Sequence, residues 1–476
     1  MPGIAQNTSY LVGAYVVQKV LAFFYFVVLA RLLGPEAIGQ YVFALSLATV
    51  FSVFLDFGFR AVLVRAIAAG ESNARDLLHK TWRWVGVSGL LVVGGLIIWS
   101  RPWEGEVRGL AVALAAVAII ADAVTLTIWS VFRGRQNLWF EARSFIVQYA
   151  VAMVLGLTAA VLGWSVVFVV AASLAGSLTH MALALWSAFK NPEVYPPAGE
   201  IITWRAALTL ALPFALAALC SRGYNYLDVV LMTKLAGEEA TGWYSAANKI
   251  YNALLFVPGA LATALYPALA AAADNRDKLR QIFSQAVWYL FLITVPLSVW
   301  LSVTGSSLMK FLYGEQFLPT GQALQIMAPI FFFAWMGFVY NALLNATRHQ
   351  AAATVNMAAA LVVNITVNLW LIPRWSYVGA AAAVAASQTL LFGLGAIWAR
   401  RLQMNLSREN WERIGKVSLA GVLQLLVTWF FREQFFLAIT VSGLVFLAVI
   451  FGLRAVGQGE WQKAVSLYRR FRPERV

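Results

Sequence analysis

Apolar residues along this 476-residue chain form runs of about 20, which short polar segments separate. A helix rises 1.5 Å per residue, so a run of this length crosses the roughly 30 Å hydrocarbon core of a bilayer. The pattern predicts an all-α polytopic membrane protein of about 14 transmembrane helices, near residues 9–33, 36–60, 82–100, 107–132, 140–163, 165–189, 206–235, 239–270, 281–304, 321–346, 350–372, 376–400, 411–431 and 434–456.

The charge pattern agrees with this prediction and orients the helices. Hydrophobic residues make up 61% of the chain and charged residues 12%, roughly half the share in soluble domains. If both termini are cytoplasmic, 25 of the 35 Lys and Arg residues fall in inside loops or the tail, and seven fall outside. Cytoplasmic loops collect basic residues, so the net charge of +14 indicates orientation rather than nucleic-acid binding.

An internal repeat divides the chain into two halves. Residues 32–44 match residues 235–247 at a constant offset of 203, with seven identities in thirteen positions. Six predicted helices intervene, so both copies cross the membrane in the same direction, as in transporters with parallel repeats. The predicted organisation is an N-lobe of helices 1–6 (1–190), a cytoplasmic linker (191–203), a C-lobe of helices 7–12 (204–401), helices 13–14 (402–456) and a basic cytoplasmic tail (457–476).

Three basic residues fall inside predicted helices. The repeat offset superimposes Lys19 on Arg222, each about 15 residues before a turn, and Lys249 follows its turn by about 11 residues. A charge at bilayer depth costs roughly 2.5–3.5 kcal/mol, so such residues usually face a cavity or a partner. Together the three cations would bind a phosphate or pyrophosphate in a central cavity.

Acidic residues within the helices leave the roles of these cations open. Asp228 lies at the depth of Lys249, so it either pairs with that lysine or leaves it to a substrate. Asp122, in the middle of helix 4, is a candidate proton carrier or a partner for Lys19. Asp56 lies near the inner end of its helix, which favours an interfacial charge over an ion-coupling site.

Four asparagines complete the set of candidate residues. The amides of Asn225, Asn248, Asn364 and Asn368 would bind sugar hydroxyls, or equally would join neighbouring helices.

The sequence has no Walker loop, nucleophile elbow or zinc-ligand spacing. It therefore predicts no catalytic residue, no metal and no cofactor.

Several segments in order carry a family resemblance. The chain resembles the polysaccharide transporter (Wzx-type lipid-linked oligosaccharide flippase) family of the multidrug/oligosaccharidyl-lipid/polysaccharide (MOP) superfamily. The segments that carry the resemblance are residues 30–41 (ARLLGPEAIGQY), 55–58 (LDFG), 242–249 (GWYSAANK), 312–318 (LYGEQFL) and 378–381 (VGAA).

The resemblance implies a fold and a cargo. Two six-helix lobes and two extra helices would move an undecaprenyl-pyrophosphate-linked oligosaccharide from the cytoplasmic to the periplasmic leaflet of a bacterial inner membrane by alternating access. Related lipid II flippases have basic residues on helices 1 and 8, where Lys19 and Lys249 lie, and the analogy assigns a lipid-tail groove to helices 13–14. The implied partners are membrane lipids, a polysaccharide polymerase and glycosyltransferases of O-antigen or exopolysaccharide synthesis. The superfamily also suggests H⁺ or Na⁺ as the coupling ion, or the membrane potential as the driving force.

Two other functions remain as alternatives. A cation or drug antiporter of the MATE type would need an acidic cavity, and three buried cations argue against it. A membrane glycan polymerase or ligase would need catalytic residues on a sizeable outside loop. The longest predicted outside loop, at about 305–320, is short and poor in acids. The sequence therefore favours a flippase and no enzymatic activity.

Overall fold

The computed structural model describes residues 4–103 and 105–455, so the predicted basic tail at 457–476 lies outside the described residues. The described residues form fifteen α-helices and three short 3-10 turns. The helices are α1 (Ile4–Asp56), α2 (Phe59–Ala69), α3 (Ala74–Trp103), α4 (Gly105–Gly134), α5 (Trp139–Val161), α6 (Val166–Lys190), α7 (Trp204–Ala236), α8 (Glu238–Leu254), α9 (Phe256–Ala271), α10 (Arg276–Tyr313), α11 (Thr320–Met327), α12 (Phe331–Ala346), α13 (Gln350–Arg401), α14 (Arg408–Phe430) and α15 (Phe435–Gly452).

Twelve continuous helical segments of the described chain are long and apolar enough to cross a membrane. Two of them, α1 and α13, contain a non-helical residue, Gly34 and Ser376, respectively. Tyr25 and Tyr41 interact across Gly34, although residues 16 apart in a straight helix would be about 24 Å apart. The chain therefore reverses at Gly34. Counting α1 and α13 as two spans each gives the predicted 14, and the all-α polytopic membrane fold is confirmed.

The sequence repeat is also a repeat of backbone geometry. Gly34 (φ 79°, ψ 174°) and Gly237 (φ 89°, ψ −179°) are 203 residues apart, and each reverses the chain between two helices. This region of φ and ψ is essentially restricted to glycine. The Asp228–Tyr244 hydrogen bond across Gly237 occupies the positions equivalent to Tyr25 and Tyr41. The two matched segments are therefore the turns of two equivalent helical hairpins.

The two hairpin turns pack against each other reciprocally. A Cβ on Gly39 would overlap the carbonyl oxygen of Glu238, and a Cβ on Gly242 would overlap that of Pro35. These two contacts are equivalent, because 242 and 238 are the repeat partners of 39 and 35. The Gln40 amide also donates to Glu238 Oε2 over 2.6 Å, and Arg108 forms an ion pair with the same carboxylate. We call residues 34–40 and 237–242 together the turn contact.

The chain forms two compact units. The first comprises residues 1–249 and 361–380, and the second comprises residues 250–360 and those from 381 onward. Within the first unit α1 packs against α3, α4, α5, α6 and α7, and within the second α10 packs against α9, α11, α12, α14 and α15. These units do not follow the predicted lobes, because α7 packs closely on α1. The division into lobes stays a prediction.

The predicted linker at 191–203 is packed within the first unit. Arg135 Nε donates to the carbonyl oxygen of Val194 over 3.2 Å, and the Val194 side chain is buried. The Ile202 amide donates to Asp76 Oδ2 over 3.0 Å. These bonds hold both ends of the segment against the start of α3 and the end of α4.

Candidate functional site

Two of the predicted cations lie close together on neighbouring hairpins. Lys19 lies 15 residues before Gly34 on α1, and Lys249 lies 12 residues after Gly237 on α8. At 1.5 Å per residue they are about 23 Å and 18 Å below their turns, in the interior of the spans. Lys19 is near enough for its charge to act on the Lys249 ammonium. The Lys249 Nζ atom lies 5.2 Å from the centre of the Phe26 ring, a cation–π contact.

Neither lysine has an acidic partner among the described side chains, at residues 16–98 and 107–455. Lys19 is exposed and Lys249 is half-buried. A lysine facing lipid at this depth would carry the full cost of a bare charge in hydrocarbon. The exposed face of Lys19 is therefore expected to meet water or a ligand. Two like charges that repel each other are stabilised by an anion between them.

The third cation, Arg222, belongs to a cluster at the end of α1. It donates to the Ser52 hydroxyl, and its Nη2 atom lies 3.9 Å from Asp56 Oδ2. Asp56 also forms an ion pair with Arg60, four residues along the chain. Two guanidinium groups thus share one carboxylate, which leaves a formal charge of +1. The close approach of α1 to α7 next to this cluster requires Gly58, where a Cβ would overlap the α7 backbone.

The buried acids have partners other than the predicted ones. Asp228 accepts a hydrogen bond from the Tyr244 hydroxyl and another from the Val229 amide over 2.8 Å. Among the ion pairs of the described residues there is none between Asp228 and Lys249. The structure therefore separates this pair: Asp228 turns toward Tyr244 on α8, while Lys249 turns toward α1.

Asp122 lies within the packing of α4, α5 and α6. The Gln148 amide approaches Asp122 Oδ1 at 3.5 Å and the Ser177 hydroxyl at the same distance. These three residues form a polar contact between helices. Within the part of the chain that the structure describes, no ion pair links Asp122 to Lys19.

The predicted asparagines are in three different surroundings. Asn364 and Asn368 are buried, and the Asn368 amide donates to Asn364 Oδ1 over 3.0 Å, which fits the packing alternative. Asn225 is exposed and its amide donates to the Ser221 carbonyl oxygen in its own helix. Asn248 is half-buried beside Lys249 in the chain. Substrate binding by these amides stays a prediction.

The sequence interpretation did not include Phe26, Arg60 or Ser52 among the site residues. Phe26 follows Lys19 by seven residues and so shares its helix face, and Arg60 follows Asp56 by four. Both spacings were visible in the sequence. Nothing in the sequence pattern pointed to Ser52, which contacts Arg222 only because two hairpins pack together.

The chain matches two protein-family models. Residues 4–273 match a model described as "Polysaccharide biosynthesis protein", and residues 213–370 match the MatE model. A relative in Haloferax volcanii, "Probable low-salt glycan biosynthesis flippase Agl15", is 20% identical over 409 residues, which cover 83% of this chain and 84% of that protein.

Solved structures of transporters share the fold. A lipid II flippase, MurJ, in an inward closed conformation superimposes with a TM-score of 0.73 and 14% identity, over 93% of this chain and 98% of that one. An inward-facing MATE multidrug transporter superimposes with a TM-score of 0.65 and 15% identity, over 81% and 94%. The first family model covers more than half of the chain. The chain therefore belongs to the polysaccharide transporter family of the MOP superfamily.

Proposed function

We propose that this protein is a flippase that moves a diphosphate-linked oligosaccharide lipid from the cytoplasmic to the periplasmic leaflet of a bacterial inner membrane. The observation that carries the proposal is the proximity of Lys19 and Lys249 without a carboxylate among the described residues. A diphosphate between the two ammonium groups replaces their repulsion with attraction. The contact is stronger in the interior of the spans than at the surface, because the effective dielectric constant there is lower than that of bulk water.

The cluster around Arg222 supplies a second place for negative charge. Its two arginines share one aspartate, so the guanidinium of Arg222 retains capacity for an anion. Guanidinium groups bind phosphate or carboxylate oxygens in a planar, bidentate arrangement. In this proposal Arg222 binds either the diphosphate at another stage of transport or an acidic sugar. The proposal rests on the proximity of Lys19 and Lys249, and it is the same whichever of these two anions Arg222 binds.

Alternating access supplies the movement in this proposal. The turn contact closes one end of the first unit, the periplasmic end if both termini are cytoplasmic as the basic residues indicate. Cargo would enter from the cytoplasmic side while the turn contact is closed, and separation of the two hairpin turns would release it outward. A proton or sodium gradient, or the membrane potential, is the proposed driving force.

A MATE-type antiporter is the second candidate, since residues 213–370 match the MatE model. A cationic drug needs exposed carboxylates near its path. Asp122 and Asp228, two acids within the helices of the first unit, contact polar side chains of neighbouring helices. The Lys19 side chain, within the first half of α1, is exposed and carries a positive charge. This charge distribution favours an anionic cargo.

The test measures flipping in proteoliposomes that contain a fluorescent undecaprenyl-diphosphate oligosaccharide. The double variant Lys19→Ala/Lys249→Ala should lose at least about tenfold in rate, because one charge-assisted hydrogen bond contributes roughly 1.5–3 kcal/mol. Lys19→Arg/Lys249→Arg keeps both charges and should retain most of the rate. Lys310→Ala, which removes a surface lysine paired with Glu315, serves as the matched control.

Wild-type rates in the double alanine variant would refute the cationic site. If the wild-type protein moved cationic dyes in exchange for protons and left the lipid-linked glycan in place, the antiporter would be the correct function.

A further inference from the structure

Three basic residues lie on one exposed face of α3. Arg75, His79 and Arg83 follow one another at intervals of four residues, and all three are exposed. Residues four apart on a helix lie on the same face, about one turn from each other. We call these three residues the basic row.

The acidic residues beside the basic row do not pair with it. Among the described side chains, at residues 16–98 and 107–455, none forms an ion pair with a member of the row. Asp76, on the same helix, forms an ion pair with Lys80 over 2.7 Å and accepts a hydrogen bond from the Ile202 amide. Glu71, in the segment before α3, is exposed and is not paired with the row. The row therefore presents two guanidinium groups and one imidazole to its surroundings.

The same face of α3 continues as an apolar surface beyond Arg83. Val87, Leu90 and Ile98 are 62%, 76% and 73% exposed. The other side of α3 packs against α1, α2 and α4. Apolar side chains that are so exposed on a helix long enough to cross the membrane face lipid. The basic row is therefore the continuation of a lipid-facing surface past the end of its apolar part.

A hydrogen bond to α1 gives the level of Arg83 in the membrane. The neighbouring Trp84 Nε1 donates to the carbonyl oxygen of Phe54 over 2.8 Å. Phe54 follows Gly34 by 20 residues, so it lies about 30 Å from the turn contact. This distance equals the thickness of the hydrocarbon core, which places Arg83 at the membrane boundary opposite the turn contact. Half-buried tryptophans on both sides of it, Trp82 and Trp84, are typical of such a boundary.

The other members of the basic row extend away from the hydrocarbon core. His79 and Arg75 lie about 6 Å and 12 Å beyond Arg83 along the helix axis. Each headgroup layer of a bilayer is about 5–8 Å thick. Arg83 and His79 are therefore at the level of the headgroups, and Arg75 is at or beyond their outer limit.

Charge and depth together select the ligand of the basic row. A headgroup with a net negative charge is attracted to guanidinium groups that lack an ion-pair partner. A zwitterionic headgroup carries its own ammonium, so it gains less from the same contact. An acidic segment of a soluble protein would have to enter the headgroup layer to reach Arg83, whereas a phospholipid already lies there.

We propose that the basic row of α3 binds an anionic phospholipid of the leaflet opposite the turn contact. The Arg83 guanidinium donates to the phosphodiester, His79 contacts the polar part of the headgroup, and an acyl chain lies along Val87 and Leu90. This lipid is a component of the membrane rather than the transported cargo, so the site does not depend on the proposed function.

The test measures photo-crosslinking of lipids to α3 of the full-length protein in phosphatidylcholine nanodiscs. The probes are phosphatidylglycerol and phosphatidylcholine with the same diazirine-labelled acyl chain, and peptide mass spectrometry gives the yield of each at residues 84–98. The wild type should favour phosphatidylglycerol. Arg83→Gln should lower this preference about fivefold, which corresponds to ~1 kcal/mol for a basic side chain near an anionic membrane surface. Arg83→Lys keeps the charge and should keep most of the preference.

The basic row also offers a matched comparison of depth. Arg75→Gln removes the same charge as Arg83→Gln, but about 12 Å further from the hydrocarbon core. The Debye length at physiological salt is about 8 Å, so Arg75→Gln should lower the preference by less than about twofold. Lys310→Gln, which removes a lysine paired with Glu315, should change nothing.

Three results would overturn the proposal. The first is an equal yield of the two probes at α3 of the wild type. The second is an unchanged preference in Arg83→Gln at wild-type thermal stability. The third is an equal loss in Arg75→Gln and Arg83→Gln, which would assign the basic row to an acidic partner outside the membrane.

Discussion

Replacing Gly242 by alanine should open the turn contact. The new methyl group would overlap the carbonyl oxygen of Pro35, well inside the 3.0 Å that real Cβ atoms keep from such atoms. The atom in the way belongs to the backbone, so no side chain can rotate to make room. The two hairpin turns would have to separate by about 1 Å to restore van der Waals distance.

The size of the effect of Gly242→Ala follows from comparing its free-energy cost in the closed and open forms of the turn contact. Alanine favours a helix over glycine by about 1 kcal/mol, but residue 242 lies in α8 before and after opening, so this gain cancels. The overlap exists only in the closed form and costs about 1–3 kcal/mol, as other overpacking does. The equilibrium should therefore shift toward the open form by roughly 5- to 150-fold.

Spin labels on Glu36 and Glu239 would measure the shift. These residues are repeat partners, and both side chains are exposed beside the contact. With Cys220 replaced by serine, electron–electron double resonance in nanodiscs should show a longer distance population in Gly242→Ala. Gly39→Ala faces the equivalent overlap with Glu238 and should have the same effect.

The combination of the two alanine variants separates opening from misfolding. The second substitution should add little to the first, because the contact has already opened. Gly86→Ala is the control, since it changes an exposed glycine in α3 whose Cβ would meet no atom within 4 Å. If Gly242→Ala folds and keeps the wild-type distance distribution, the reasoning about the turn contact is wrong.

Two further predictions concern stability. Arg133→Ala removes the ion-pair partner of Glu141, whose side chain is 4% exposed, and should destabilise the fold by about 3–5 kcal/mol. Arg408→Ala is the control and should have no effect, because the Arg408 side chain in its ion pair with Glu412 is 94% exposed. Tyr244→Phe removes a donor from buried Asp228 and should cost about 1–3 kcal/mol without changing the flipping rate per folded molecule. Unfolding midpoints in detergent test both, and unchanged midpoints would contradict them.

Hydropathy predicted the membrane spans well because the bilayer imposes their length. The breaks at Gly34 and near Ser376 were predicted from turn residues between apolar runs, and both of these residues have non-helical φ and ψ angles. The short helix α2, Phe59–Ala69, was missed. Its 11 residues are too few to cross a bilayer, so a search for apolar runs of about 20 residues passes over it, although its buried residues recur at helical spacing.

Counting residues along the helices predicts a depth for each charged residue but does not predict its partner. Counting residues from the turns placed Asp228 at the level of Lys249. Each residue turns a helix by about 100°, so two groups at one depth can face opposite directions. Asp228 faces Tyr244 within its own hairpin, whereas Lys249 faces Phe26 on the other. Only the packing of the hairpins decides between such alternatives.

The two hairpins are symmetric in backbone and asymmetric in charge, and the asymmetry has a functional consequence. The repeat places Lys19 and Arg222 at equivalent positions. Arg222 lies beside the Ser52 hydroxyl and the Asp56 carboxylate, whereas Lys19 lies near the ammonium of Lys249. A diphosphate lipid is itself asymmetric, with an apolar chain on one side and sugars on the other. Because their backbones are equivalent, the two hairpins can make equivalent movements. Under the proposed function, the unequal surroundings would let one cation hold the diphosphate more strongly than its repeat partner does, so that the cargo would bind in one orientation.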